Sequence, residues 1–303
     1  MKQPHLILGI GELLWDILPE GEQLGGAPAN FAVMAGRLGN HAAILSRIGR
    51  DELGRKATEL LDPLPVDASF LEVDPENETG RVTVSFQSGQ PSYTIHQPAA
   101  WDSLELTDRW AQLAERADAV CFGSLAQRSR ESRQTIQSLV AMTSASCVRV
   151  FDVNLRAPFY SGAVIRESLR LATVVKMNDA EAAQVMGLLG LPAVNDPAAG
   201  ALRLLKEFPT LQMVAVTRGA RGSLLVTRDE IDSHPGIPIK AADTIGAGDA
   251  FTAAMTHYLL RGASLATLNE AGNRWGAWMA SQTGAMPPLP EARRAAIMAA
   301  IES

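Results

Sequence analysis

The chain has 303 residues, of which 47% are hydrophobic and 20% charged, values typical of a globular enzyme and far from those of disordered or fibrous proteins. The net charge is −6 and the Lys and Arg residues are scattered, which argues against a nucleic-acid partner. The apolar run near the N-terminus is too short for a membrane span and no signal-type cleavage region follows it, so we expect a cytoplasmic protein with no membrane partner.

Strand and helix patterns alternate from the start of the chain. We predict a buried strand at His5–Gly11, a helix at Asn30–Leu38 ending at Gly39, and a second strand at Ala42–Ile48. Cys121 and Cys147 each lie in an apolar strand-like run without a partner at metal-ligand spacing, and are predicted to be buried reduced thiols.

Between Thr79 and His96 the pattern changes to strict alternation. Val82, Val84 and Phe86 alternate with polar residues, the turn-like Gln-Ser-Gly-Gln follows, and alternation then resumes. This pattern predicts a hairpin with one face available to a partner surface.

From Asp118 onward, β-like runs alternate with helical stretches, and the last third of the chain is helical. The predicted helices lie near residues 129–143, 161–171, 179–186, 196–207, 248–260, 264–282 and 290–302. This order predicts an α/β fold with a doubly wound, mostly parallel sheet flanked by helices. We expect one domain over 1–303, with a small β lid built from about 12–25 and 79–102.

The strongest local motif is Asp243-Thr-Ile-Gly-Ala-Gly-Asp249-Ala-Phe251, which precedes an apolar helical run. The small side chains of Gly246, Ala247 and Gly248 let a ligand approach backbone N–H groups at the positive end of a helix, where phosphate binds. Asp249 beside them is able to accept a proton from an attacking hydroxyl. A glycine turn with Asp249 at a plain helix start explains the same residues equally well.

This motif resembles the C-terminal signature of the ribokinase-like, or PfkB-type, carbohydrate kinases. The N-terminal signature of that family is also present, as Gly25-Gly-Ala-Pro-Ala-Asn30 leading to Ile48-Gly-Arg-Asp-Glu-Leu-Gly54. The similarity covers essentially the whole chain. It implies a ribokinase-like fold and transfer of the γ-phosphoryl group of ATP to a sugar hydroxyl.

The resemblance also implies roles for individual residues. Asp249 would be the catalytic base, and the N–H groups of Ala247, Gly248 and Asp249 would form an anion hole. Asp16, Gly26 and Asn30 would bind sugar hydroxyls, although Asp16 could also be a solvated turn acid and Asn30 a helix N-cap.

Asn178 and Glu181 lie three residues apart at the start of a predicted helix and match the family's Asn-x-x-Glu. In the family this motif positions magnesium and phosphate through water, so Glu181 is predicted to act on Mg²⁺ in this way. The same spacing is a capping-box pattern, and both roles are compatible.

The resemblance also implies a nucleotide loop, an adenine site and an alkali-ion site. The segment Val216–Gly222 resembles a nucleotide loop, with Thr217, Gly219 and Gly222 near ATP, and its alternative is an ordinary hairpin turn. Asn273, Ala277 and Gly284 resemble positions around adenine. Relatives have an alkali-ion site near Asp243 and Ile245, which extends the expected cofactors from ATP and Mg²⁺ to K⁺.

Asp152-Val-Asn-Leu-Arg156 matches the family's Asp-x-Asn-x-Arg, in which Arg156 reaches phosphate or substrate or forms a salt bridge. Gly11-Glu-Leu-Leu-Trp-Asp16 and Gln97-Pro-Ala-Ala-Trp101-Asp102 depart from typical ribokinases and resemble a fructokinase-like subgroup. Asp102 is therefore added to the sugar site, and Trp15 or Trp101 is expected to cover the sugar ring.

Two other classes of function fit the sequence less well. A dinucleotide-dependent oxidoreductase is rejected because Gly9-Ile-Gly11 lacks the third glycine of the phosphate-binding fingerprint. A non-catalytic sugar sensor would not need Asp249, whose presence favours catalysis. We expect D-fructose as acceptor, with 2-keto-3-deoxygluconate, ribose, tagatose and nucleosides as alternatives, and either a monomer or a homodimer formed through the lid.

Overall fold

A computed structural model of the protein describes residues 4–19, 21–87, 90–192 and 194–302. The first strand along the chain, β1, is Leu6–Ile10 and belongs to the main sheet. The other strands of the described chain are β2 Leu14–Leu18, β3 Gly21–Gly25, β4 His41–Leu45, β5 Arg47–Gly49, β6 Glu72–Asp74, β7 Gly80–Gln87, β8 Gln90–Ile95, β9 Ala119–Gly123, β10 Val148–Asp152, β11 Val174–Asn178, β12 Met213–Thr217, β13 Ser223–Val226 and β14 Ile231–His234. The helices are α1 Ala27–Arg37, α2 Glu52–Leu61, α3 Asp108–Glu115, α4 Arg130–Met142, α5 Gly162–Leu171, α6 Asp179–Leu188, α7 Pro197–Glu207, α8 Ala247–Leu259, α9 Leu265–Ala280 and α10 Glu291–Glu302.

The main sheet has the strand order β14-β13-β12-β11-β10-β9-β1-β4. The strands from β12 to β4 pair in parallel, while β13 and β14 are antiparallel additions at one edge. The predicted mostly parallel α/β sheet is therefore confirmed. Because the strands of a parallel sheet end at the same edge, the loops that follow β10, β11 and β12 lie side by side.

Helices cover both faces of this sheet, as side-chain alternation along the strands requires. In β9, Val120 and Phe122 face the apolar core that contains α4 and α5 residues, whereas Ala119 and Cys121 face the core that contains α1, α8 and α9 residues. Cys121 and Cys147 are buried free thiols. Within the described residues, no helix combines the length and apolar composition that a membrane crossing requires.

A second, four-stranded sheet has the order β3-β2-β7-β8. It comes from the two regions predicted to form the lid, and the predicted hairpin is the antiparallel pair β7 and β8. Ser88 and Gly89, in the middle of the predicted turn, lie outside the described residues.

The structure corrects two predicted boundaries and adds two helices. The strand predicted at Ala42–Ile48 is interrupted at Ser46, because β4 pairs with β1 whereas β5 pairs with β6 in a separate small sheet. The first helix begins at Ala27, three residues before the predicted start, with a proline in its first turn. Helices α2 and α3 were not predicted, although Asp51 and Thr107 cap them.

Candidate active site

A cavity of about 790 Å³ lies where the carboxyl ends of the parallel strands meet the small sheet. Its lining includes residues that the sequence analysis assigned to catalysis or sugar binding: Asp16, Gly26, Asn30, Arg156, Gly246, Gly248 and Asp249. Leu14, Val82 and Ile95 of the small sheet line it from the other side. The fold thus brings together residues from both ends of the chain.

Asp249 lies in the first turn of α8, whose N-cap is Gly246 in the left-handed conformation with φ 74°. The N–H groups of a first helical turn have no carbonyl partner within the helix, and they carry the positive end of the helix dipole. The N–H group of Ala247 donates to Thr244 O at 3.3 Å, a long hydrogen bond. The donors of Gly248 and Asp249 are therefore the principal ones for an anion at this position.

Asn30 donates from Nδ2 to Asp249 Oδ2 at 2.7 Å, across a separation of 219 residues. Because α1 begins at Ala27, Asn30 is inside the helix and is not its N-cap. Its Oδ1 is buried and has no partner among the described residues. Asn30 thus holds Asp249 and keeps an acceptor for a ligand.

Gly26 is the N-cap of α1 and has φ 111°, a conformation that favours glycine. A Cβ atom there would lie 2.3 Å from Glu12 O, closer than any side chain tolerates. The glycine predicted for sugar approach is therefore also required by the close contact of two backbone segments.

Burial raises the pKa of Asp249, and Lys176, the Asn30 hydrogen bond and Arg156 oppose this effect. A buried carboxylate with a raised pKa is a stronger proton acceptor than an exposed one. Asp249 thus combines the position and the basicity that deprotonation of a hydroxyl requires.

Asp16 lies in β2 at the rim of the same cavity, and burial raises its pKa to about 6. Arg156 lowers this value and Asp243 raises it. Asp16 is therefore ionised above about pH 6, where it can accept hydrogen bonds from hydroxyl groups. It is partly buried, which rules out the alternative of a fully solvated turn acid.

Glu12 also lines the cavity, and the sequence analysis assigned it no role. It is 2% exposed, and its Oε2 has no partner among the described residues. Burial is the main reason why its pKa rises to about 7, with Asp249 adding a repulsive charge. The only available sequence signal was the departure from typical ribokinases at Gly11-Glu-Leu-Leu-Trp-Asp16.

We expect Glu12→Gln to raise the melting temperature by a few degrees at pH 8 and by much less at pH 5. The folded-state pKa of about 7 exceeds the ordinary 4.5, so folding favours the protonated form. The stability this proton provides is present at low pH and is lost as the pH rises through 7, whereas glutamine stays neutral throughout. Thermal unfolding at both pH values tests this, with exposed Glu230→Gln as the control. An equal change in melting temperature at the two pH values would contradict the expectation.

Lys176 and Asp152 form a buried ion pair at the base of the cavity. Lys176 Nζ lies 3.2 and 3.1 Å from the two carboxylate oxygens of Asp152, and both side chains are less than a tenth exposed. Asp152 was predicted only as part of a motif and Lys176 was given no role, because a lysine within an apolar strand shows no spacing that reveals its partner. Arg156, by contrast, is exposed at the mouth.

The structure contradicts the assignment of Asp102 to the sugar site. Its carboxylate accepts from Arg128 Nε and Nη2, both at 2.7 Å, and from Ala99 N at 2.9 Å. It lines a separate cavity of about 610 Å³. The pairing with Arg128 leaves this carboxylate committed to the protein.

The expected tryptophan cover of the sugar ring is also wrong. Trp15 is 3% exposed and donates from its indole nitrogen to Leu53 O at 3.0 Å. Trp101 is fully buried beneath the Arg128 guanidinium, 3.9 Å from the ring centroid. Both rings are core residues, since each belongs to an apolar cluster of the interior.

The predicted nucleotide residues lie at the neighbouring strand ends. Asn178 and Thr217 are direct register partners in β11 and β12, and Thr217 pairs in turn with Ser223. Gly219 has φ 58° in the turn between β12 and β13. Glycine is required at position 222 by packing alone, because a Cβ atom there would lie 2.1 Å from His234 O.

The residues predicted for adenine and for an alkali ion are tied to this region by hydrogen bonds. Asn273 Nδ2 donates to Ser223 Oγ at 2.6 Å and to Asn269 O at 2.8 Å, so its amide nitrogen belongs to a buried network. Asp243 accepts from Ile245 N at 3.0 Å and from Gly284 N at 3.1 Å, which links the loop before α8 to the chain after α9. Ala277 is half-buried within α9.

Glu181 accepts from Asn178 N at 2.8 Å in a capping box, and from Leu155 N at 2.9 Å with its other oxygen. The capping alternative is therefore present, and the carboxylate is poorly placed for direct metal ligation. Among the described residues, no group of three or more His, Cys, Asp or Glu is arranged to hold a metal ion. The site fits an ion that arrives bound to phosphate oxygens and water.

The sequence is similar to those of known carbohydrate kinases. The model of the pfkB family carbohydrate kinases matches residues 21–292. The chain is 31% identical to a fructokinase of Klebsiella pneumoniae over 93% of this chain and 95% of that protein. It is 30% identical to an uncharacterized sugar kinase of Pyrococcus horikoshii over 95% of this chain and 96% of that protein.

Solved structures give the same result for the fold. The Pyrococcus horikoshii kinase in complex with ATP superposes with a TM-score of 0.79 at 29% identity, covering 92% of this chain and 94% of that one. Fructokinase from Vibrio cholerae O395, solved with fructose, ADP and a calcium ion, gives 0.80 at 27% identity, covering 97% and 98%. The ribokinase-like fold is therefore confirmed.

Proposed function

The chain belongs to the pfkB family of carbohydrate kinases and is an ATP-dependent sugar kinase, and we propose that its acceptor is D-fructose, phosphorylated on the 6-hydroxyl. Fructokinases among its relatives support this choice. The observation that carries it is the convergence of Asp249, the α8 N-terminus, Asp16 and Asn30 on one cavity. A base, an anion site and hydroxyl-binding groups are the parts that phosphorylation of a sugar alcohol needs.

In this proposal Asp249 takes the proton of the acceptor hydroxyl as its oxygen attacks the γ-phosphorus. The N–H groups at the start of α8 stabilise the charge on the phosphoryl oxygens, where helix-end donors act without reorganisation. Asn30 keeps the Asp249 carboxylate oriented through its 2.7 Å hydrogen bond. A primary hydroxyl at the end of a furanose ring reaches this depth with least crowding.

The charges around the cavity favour a neutral sugar over a keto acid. Three acids line it, namely Glu12, Asp16 and Asp249, and the positive charge of Lys176 is offset by the adjacent Asp152. Arg156 at the mouth is then the principal cation for the carboxylate of 2-keto-3-deoxygluconate. A neutral ketose avoids the repulsion that this acid would meet.

The described lining favours a monosaccharide over a nucleoside. No aromatic ring contributes to the cavity wall among the residues whose side chains the structure describes. A purine base is usually held by stacking and by a wide apolar surface. Asp16 and Asn30 offer hydrogen-bonding groups instead, which select for hydroxyls.

For the phosphoryl donor, we assign the triphosphate to the strand ends at Asn178, Thr217 and Gly219, with adenine toward Asn273, Ala277 and Gly284. Mg²⁺ would be carried by the phosphate oxygens and water, with Glu181 acting on it only indirectly. The ion supplies positive charge for the transferring phosphoryl group when bound. We keep the K⁺ site near Asp243 and Ile245 as part of the same proposal.

The small sheet is proposed to act as a lid over the sugar. Leu14, Val82 and Ile95 lie on its cavity side, and their apolar side chains would displace water from the site. Exclusion of water protects ATP from hydrolysis during transfer.

ADP release measured with D-fructose, D-ribose, D-tagatose, 2-keto-3-deoxygluconate and adenosine tests the acceptor. We expect the highest kcat/KM for fructose, with fructose 6-phosphate as the product identified by phosphorus NMR. The Asp249→Asn protein, prepared in the same way, serves as the blank for contaminating kinases. A tenfold preference for the keto acid would overturn the fructose assignment and leave the sugar kinase activity standing.

A further inference from the structure

The Lys176–Asp152 ion pair lies beside the reaction cavity, where Lys176 contributes to the lining. Lys176 lies in β11 and Asp152 at the end of β10, and the two are register partners in the parallel sheet. Their ion pair is buried, with both Nζ to oxygen distances at 3.2 Å or less. Burying two charges carries a large desolvation cost before their attraction is counted, so such a pair is weak evidence for stability alone.

The pair is attached directly to the helix that carries the anion hole. Thr252 Oγ1 in α8 lies 3.2 Å from Asp152 Oδ2 and 2.8 Å from Gly248 O, so its single proton is shared between these two acceptors. A Cβ atom on Gly248 would lie 2.8 Å from Lys176 Nζ, which places the ammonium group against the backbone of the first helical turn. A side chain at position 248 would therefore have to displace the lysine ammonium group.

Lys176 also faces the reaction cavity, whose lining it shares with Gly248 and Asp249. An ammonium group has three donors, and the contacts to Asp152 use at most two of them. Asp152 offsets one positive charge here, and the positive end of the α8 dipole still favours a second anion beside the ammonium group. The transferring phosphoryl group is the anion that reaches this position in a kinase.

We propose that Lys176 is a further catalytic residue, whose ammonium group contacts the phosphoryl group in transit while Asp152 holds it in place. The bond between the γ-phosphorus and the bridging oxygen of ATP breaks, and a bond from phosphorus to the sugar oxygen forms. The hydroxyl proton passes to Asp249, and Lys176 keeps its own protons. This inference rests on the proposed role of Asp249 and the α8 N-terminus.

Lys176→Met removes the charge and keeps the length of the side chain, but it leaves the buried Asp152 without a positive charge beside it. The double variant Asp152→Asn/Lys176→Met removes both charges and tests whether pairing alone matters. Exposed Lys206→Met on α7 is the matched control. Each protein is assayed with the best acceptor of the sugar panel, so the outcome does not depend on fructose being that acceptor.

We expect kcat to fall roughly 100- to 1000-fold in the single and the double variant, as on loss of one donor to a developing charge. The dissociation constants for ATP and sugar should change less than threefold. Affinity for ADP with aluminium fluoride and sugar, a mimic of the transferring phosphoryl group, should fall by a factor similar to the loss in kcat.

Recovery of kcat to within threefold of wild type in the double variant would overturn the inference, because it would mean that Lys176 only balances Asp152. Unchanged affinity for the aluminium fluoride complex would overturn it as well. The Asp249→Asn variant is measured in parallel. If that variant kept its turnover, the proposed base would be wrong, whereas the result for Lys176 would still be read from its own variants.

Discussion

Asp249→Asn is expected to lower kcat roughly 100-fold or more, because the attacking hydroxyl loses a positioned general base. The asparagine oxygen can still accept the hydrogen bond from Asn30, now 2.7 Å long, so the local geometry should persist. Burial raises the pKa of Asp249, which means that the ionised form is the costly one. A neutral side chain of the same shape should therefore fold at least as well.

Steady-state kinetics and calorimetric binding separate these effects. The expected pattern is a large loss in kcat with sugar and ATP affinities within threefold of wild type. Asp229→Asn, an exposed turn residue, controls for the chemical change itself. A turnover within threefold of wild type would remove Asp249 from the role of base.

Arg128→Met is expected to destabilise the protein by about 3–5 kcal/mol, because it leaves the Asp102 carboxylate buried without its partner. The two side chains are only 6% and 10% exposed. The guanidinium also lies 3.9 Å from the Trp101 ring centroid and 4.8 Å from that of Phe159. It donates further to His96 O at 2.8 Å, which ties the end of β8 to the main body.

Urea unfolding measures this loss, and two variants define its origin. The double variant Asp102→Asn/Arg128→Met should regain part of the stability, since no buried charge is left unpaired. Arg170→Met breaks the exposed pair with Glu167, whose side chains are 58% and 50% exposed, and should cost less than about 1 kcal/mol. If Arg128→Met cost as little stability as Arg170→Met, the interpretation of Asp102 as a structural residue would be contradicted.

Much of the fold was accessible from the sequence because its signals are local. Hydrophobic periodicity located the helices of the C-terminal half to within a few residues, and the order of strands and helices indicated a parallel sheet. The Gly246–Asp249 segment was recognisable for a similar reason, since small residues before an apolar helix leave the backbone N–H groups of its first turn accessible to a ligand. These properties depend on neighbours within one or two turns of chain.

The tertiary structure decided which side chains meet. Asn30 reaches Asp249 across 219 residues, and Lys176 pairs with Asp152 only because β10 and β11 are adjacent in a particular register. Asp102 was wrongly assigned to the sugar site because its partner Arg128 follows β9 and is 26 residues away in the chain, so the sequence around Asp102 does not reveal the ion pair. The properties of a buried polar residue are set by desolvation and by partners distant in the chain, and neither is encoded in local spacing.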